Sequence, residues 1–284
     1  MSAESWVVTG PQIIEIEEVD ALRVGLVRGR VDVVTRDEPG ARIEVHAVDG
    51  RPLEVSLSDG ELRVGYTFTL GGWENFLDTF RNFRDRDTAD VHIAVPRHVA
   101  VRLGTVSAEG LLAGVLRGAS VSTVSGSVVT DGTGGALVAS TVSGEIAVRD
   151  HTGDLRMNSV SGELTASGAL ARVAVNAVSG PVTLDVSSES ASIAATTVAG
   201  DVTVRLPAGR GVNVSARSVS GRVVVDGHEH KGTTPGQKKV DVQTGDGSCL
   251  ISVKTVSGHL TVLRGAVARA GNPSATGAGA DGVA

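Results

Sequence analysis

Few residues of this chain combine type and spacing in the way that chemistry needs. His228, Glu229 and His230 come nearest, because an extended His-Glu-His could set two imidazoles on one side of the chain, as metal ligands require. Asp226, Asp241 and Asp246 lie in the same Gly- and Lys-rich stretch. Spacing fixes no third ligand, so a solvated loop is the stronger reading. The carboxylates Glu145, Asp150, Asp154, Glu163, Asp185 and Asp201 are spread along the chain as ordinary surface charge. A sugar-cleaving site would gather two of them on one face, and only Asp150 and Asp154 share a turn. Cys249 is the single cysteine, which leaves no internal disulfide framework. Within Ser248-Cys249-Leu250-Ile251 it reads as a small buried hydrophobe. Phosphate loop, nucleophile elbow and zinc spacing are all missing from the sequence. The expectation is a protein that is not an enzyme and that takes no metal and no cofactor.

The elements that carry these residues are set by a repeat. Val-Ser-Gly or Val-Ala-Gly recurs seven times and ends at Gly126, Gly144, Gly162, Gly180, Gly200, Gly221 and Gly258. The glycines step by 18, 18, 18, 20, 21 and then 37 residues. A fixed period of this size marks a solenoid. Within one period, Ile146 and Val148 share a face after Gly144, and Leu155 and Met157 share a face before Gly162. Each period thus holds two short strands and two turns. Stacked coils would form two parallel sheets with ladders of Val, Leu, Ile and Ala between them, wound right-handedly. The inward residue five before each glycine sits at an odd offset, and the inward residues two and four after it sit at even offsets. A strand cannot change face without a bend, so Thr-Val-Ser-Gly belongs at a corner, where glycine would supply an unusual backbone angle. Thr123, Thr141, Ser159, Thr197, Ser218 and Thr255 would stack there as a hydroxyl column. The motif lacks the aspartate of calcium-binding nine-residue rolls, and a corner is not the flat face that an ice-binding array needs.

Residues 13–104 lack the repeat. They read as short strands, as in the alternation Arg42-Ile43-Glu44-Val45-His46, with Ser58-Asp59-Gly60 joining two strands as a hairpin. This part is expected to be irregular or antiparallel β-structure. It is interrupted by Trp73, Phe76, Leu77, Phe80 and Phe83, whose spacing predicts one short helix near 73–83. That helix would cap the solenoid, dock a protein partner or lie on a membrane surface. Residues 1–12 read as an extension, 105–264 as the solenoid with a loop insertion at 226–248, and 265–284 as a disordered tail. The net charge of −6 and the scattered Lys and Arg give no footprint for nucleic acid. No apolar run approaches the ~20 residues needed to cross a bilayer. The first ten residues have neither the basic nor the apolar part of a secretory signal, so a cytoplasmic protein is expected.

The Thr-Val-Ser-Gly repeats resemble the bacterial DUF4097 family, also called putative adhesins. So do Asp20-Ala21-Leu22-Arg23-Val24, Val91-His92-Ile93-Ala94-Val95-Pro96 and Gly245-Asp246-Gly247-Ser248. The resemblance spans residues 13–264. It implies an all-β, single-stranded parallel β-helix of about seven coils and brings no catalytic motif. The functional expectation is a non-catalytic structural or interaction module that presents a surface to a protein partner. A cell-surface adhesin and a carbohydrate-binding or carbohydrate-processing β-helix are the alternatives.

Overall fold

The computed structural model describes residues 4–66, 87–230 and 238–265. These contain 24 strands and no helix. In chain order they begin with β1 (Glu4–Val8), β2 (Gln12–Ile16), β3 (Ala21–Leu26), β4 (Arg28–Arg36), β5 (Ala41–Asp49), β6 (Leu53–Ser58), β7 (Glu61–Gly65) and β8 (Thr88–Pro96). The middle of the chain forms β9 (Ala100–Thr105), β10 (Glu109–Ala113), β11 (Ala119–Thr123), β12 (Val128–Asp131), β13 (Gly134–Thr141), β14 (Ile146–Ser159), β15 (Leu164–Ala177) and β16 (Val182–Val186). The last third forms β17 (Ala191–Thr197), β18 (Val202–Pro207), β19 (Val212–Ser218), β20 (Val223–Val225), β21 (His228–His230), β22 (Lys238–Thr244), β23 (Cys249–Thr255) and β24 (Leu260–Gly265).

All 24 belong to one sheet that wraps around a single apolar core. Two faces can be followed through the pairings. One runs β1-β6-β7-β3-β9-β11-β13-β14-β15-β17-β23-β19-β22. The other runs β2-β5-β8-β4-β10-β12-β14-β15-β16-β18-β24-β20-β21. The long strands β14 and β15 bend through both faces and join them. Parallel pairing keeps equivalent residues in register, so Leu22, Val101, Ala119, Leu137, Leu155, Val173, Ile193, Ile251 and Val214 form one inward ladder. Each such Val, Leu or Ile contributes ~1.5–3 kcal/mol by leaving water, and a single coil buries too few of them to stand alone.

This arrangement corrects the expected fold class in three ways. First, the coil is not confined to residues 105–264. Strands β3, β4, β7 and β8 pair in parallel with it, so ten strands on each face run parallel rather than about seven. Between β3 and β4 only Val27 intervenes, which leaves no room for Val-Ser-Gly at that corner. Antiparallel strands occur only as caps: β1, β6, β2 and β5 at one end, β22 and β21 at the other. Second, the described residues hold no helix, and the expected one at 73–83 lies outside them. Third, the coils do not stack in chain order. Strand β23 lies between β17 and β19, and β24 lies between β18 and β20. The stretch 226–248 is likewise not a loop throughout. It supplies β21 and β22, which cover the edges of β20 and β19. The first strand, β1, falls within the expected N-terminal extension, and residues 266–284 of the expected tail lie outside the described residues.

Candidate functional site: the Val-Ser-Gly edge

The seven motif glycines lie between strands, along one edge where the chain passes from the first face to the second. In space their order is Gly126, Gly144, Gly162, Gly180, Gly200, Gly258 and Gly221, because the last coil is inserted. None of them has a positive φ. Their requirement is room rather than an unusual backbone angle. A Cβ at Gly144 would lie 2.1 Å from Gly126 O, at Gly162 2.0 Å from Gly144 O, and at Gly221 1.9 Å from Gly258 O. The ladder starts one step earlier than the repeat count, at Thr105-Val106-Ser107-Ala108, where a Cβ on Gly126 would meet Ala108 O at 2.1 Å. Alanine in place of glycine hides this copy from the sequence pattern.

Hydroxyls lock the corner on both sides. Inside, Thr123, Thr141 and Ser159 donate to the carbonyls of Gly126, Gly144 and Gly162 at 3.1, 3.0 and 2.7 Å. Thr197, Ser218 and Thr255 instead accept from the N–H groups of Gly200, Gly221 and Gly258 at 2.9, 2.7 and 2.8 Å. Outside, Ser143, Ser161 and Ser179 donate to the valine carbonyl of the preceding coil, at 3.1, 3.1 and 3.2 Å. These bonds tie the serines and threonines to the backbone and hold the coils together.

The valines remain. Val160, Val178, Val198, Val256 and Val219 stand one above another and are each 46–51% exposed. Beside them runs a polar ladder. Asn158 Nδ2 donates to Ser140 Oγ at 3.3 Å, and Asn176 Nδ2 donates to Asn158 Oδ1 at 3.2 Å. Val142, Val160, Val178, Ser140, Asn158 and Asn176 line a shallow groove of about 440 Å³. An apolar rib thus runs next to a strip of amides along this edge.

Tyr66 and Asp87 lie on the same edge. Trp73, Phe76, Leu77, Phe80 and Phe83 lie outside the described residues, but the chain leaves at Tyr66 and returns at Asp87. Tyr66 N donates to Gly25 O at 3.4 Å, and Thr88 pairs with Arg28, which places both ends at the corner. Arg51 joins them. Its backbone N–H and Nε donate to the buried Asp87 carboxylate at 3.0 and 2.9 Å, and its guanidinium lies 5.9 Å from the Tyr66 ring centre. Burial alone would raise Asp87, but the bonds from Arg51 outweigh it and hold the carboxyl below its usual range. Burial pushes the Tyr66 phenol up to about 12.

The residues with metal-like spacing are dispersed or already engaged. Asp226 pairs with Arg264, which donates to it through Nε at 2.8 Å and through its backbone N–H at 3.1 Å. Asp241 accepts from Ser215 at 2.9 Å, and Asp154 pairs with Arg172. Among the described residues no three His, Cys, Asp or Glu side chains come together as a metal group. Cys249 is buried in the inserted strand. His151 is buried on the opposite edge. Its Nδ1 lies 3.0 Å from Thr133 Oγ1 and its Nε2 lies 3.3 Å from Asp154 O. No described helix is long and apolar enough to cross a membrane.

A continuous, mostly parallel sheet wrapped coil upon coil, with glycine corners on one edge, defines a β-solenoid-like protein. The chain belongs to the Toastrack DUF4097 family, whose model matches residues 30–263. No curated protein matches it. Similar solved structures include these three. A putative lipid binding protein from Parabacteroides distasonis is 12% identical, with a TM-score of 0.44, over 89% of this chain and 97% of that one. A putative adhesin from Bacteroides fragilis is 12% identical, with a TM-score of 0.40, over 92% and 97%. A putative cell adhesion protein from Clostridium sporogenes is 15% identical, with a TM-score of 0.29, over 93% and 100%.

Proposed function

We propose that this protein is a non-catalytic interaction module that presents the Val-Ser-Gly edge to a protein partner. The observation that supports the reading is the rib of half-exposed valines, unbroken from Val160 to Val219 through the inserted coil. Apolar side chains set in a row on a rigid frame cost solubility and contribute little to the fold, which is the profile of a contact surface. Trp73, Phe76, Leu77, Phe80 and Phe83 fall between Tyr66 and Asp87 in the sequence, and we count them among the residues a partner would meet. In this reading the hydroxyl and glycine ladders build the edge, and the valines and aromatics bind. Pull-down from the native cell tests it. A partner retained by the wild type should be lost from Val160→Lys/Val178→Lys/Val198→Lys and weakened by Trp73→Ala/Phe80→Ala, with unchanged melting curves. An identical set of retained proteins for all three would sink the proposal.

A further inference from the structure

The two ends of the sheet are protected differently. At one end the outermost strands are β21, His-Glu-His, and β22, which begins Lys238-Lys239 and carries the Lys239–Asp241 ion pair at 2.9 Å. Charges on an edge strand discourage pairing with another chain. At the other end the outermost strands are β1 and β2. Among the described residues each pairs on one side only, β1 with β6 and β2 with β5. Their sequences, Glu-Ser-Trp-Val-Val and Gln-Ile-Ile-Glu-Ile, have no lysine, arginine or proline. Val7 is 69% exposed and Ile13 57%, and the core ends here on Trp6, which is only partly buried.

We infer that this end is a pairing surface for a second copy of the same chain, with β1 against β1 and β2 against β2, antiparallel across a two-fold axis. The occupant follows from register. If Trp6 lies on the axis, Glu4 faces Val8 and Ser5 faces Val7 of the other copy. If Ile14 lies on the axis, Gln12 faces Ile16 and Ile13 faces Glu15. In both registers alternate positions keep to one face, the exposed Glu4 and Gln12 lie at the strand ends, and neither register puts like charges opposite each other. With Trp6 on the axis, the partly buried Trp6 side chains of the two copies would meet. Head-to-tail stacking would instead bring this end against the charged β21 and β22. Two five-residue strands make a small interface, so the association depends on concentration rather than being permanent.

Sedimentation of the full chain over a wide concentration range tests the inference. The wild type should rise from the monomer mass of 28.9 kDa toward twice that value and stop there. Ser5→Lys/Val7→Lys sets lysine opposite lysine in both cross-axis pairs and should keep the chain monomeric. Ser5→Glu/Val7→Lys sets glutamate opposite lysine and should restore the dimer. A general loss of folding would affect both variants alike, and melting curves would show it. A wild type that stays monomeric throughout, masses that grow beyond the dimer, or two variants that behave identically would overturn the inference.

Discussion

A methyl group on Gly162 would sit 2.0 Å from Gly144 O and 2.8 Å from Thr141 Cγ2, and both neighbours are fixed by ladder bonds. Gly162→Ala is therefore expected to cost on the order of 3 kcal/mol by denaturant unfolding. Gly10→Ala, with nothing within 4 Å of its Cβ, should stay within ~0.5 kcal/mol. The spacing of these glycines was plain in the sequence, and so was their place at corners. Their reason was not, because crowding between coils is a tertiary fact and parity reports only a bend. His151 was illegible for a related cause: its neighbours Asp150, Thr152 and Gly153 read as a turn, yet the ring faces inward. Burial lowers its pKa from the ordinary 6.5. The unfolded chain therefore takes up a proton first as pH falls, and folded stability drops from about pH 6.5 downward, before the carboxylates titrate. Stability measured against pH should show this slope, and His151→Gln should flatten it.

Strand pairs were legible wherever a coil follows its neighbour in the chain. The inward pairs after each motif, such as Val182/Leu184 and Val202/Val204, are buried as their alternation requires. The insertion of β23 and β24 was not legible, since every coil carries the same inward pattern and identical ladders can stack in any order. The 37-residue step before Gly258 was the trace it left. Cysteine pairs read the order directly. Ala194 pairs with Ser252, and Ser252 pairs with Ser215. Ala194→Cys/Ser252→Cys should form a disulfide on mild oxidation. Ala194→Cys/Ser215→Cys should not, since two strand spacings of about 4.8 Å exceed the ~7 Å limit between Cα atoms. The reverse result would restore chain order. The charges near the insertion hold it in place: Asp226 binds Arg264 at the end of β24, and Arg264 also donates to Arg210 O at 2.9 Å and to Thr244 Oγ1 at 3.0 Å.

At the scale of the molecule, one sheet encloses one core, and the first strands of the chain continue the coil that the repeats define. The repeats anticipated ladders of Val, Leu, Ile and Ala, but the motif-poor N-terminal strands concealed that they belong to the same stack. Two edges run the length of the molecule. The one marked by Val-Ser-Gly carries the exposed valines together with Tyr66 and Asp87, and the opposite one carries turns such as that of Glu189. The proposal that the first edge meets a partner is tested most directly by photocrosslinking in the native cell, with a photoreactive residue at Val178, Val198 or Glu189. Val178 and Val198 should each capture the same defined protein, and Glu189 should not capture it. Equal capture from all three positions, or none from the two valines, would contradict the account.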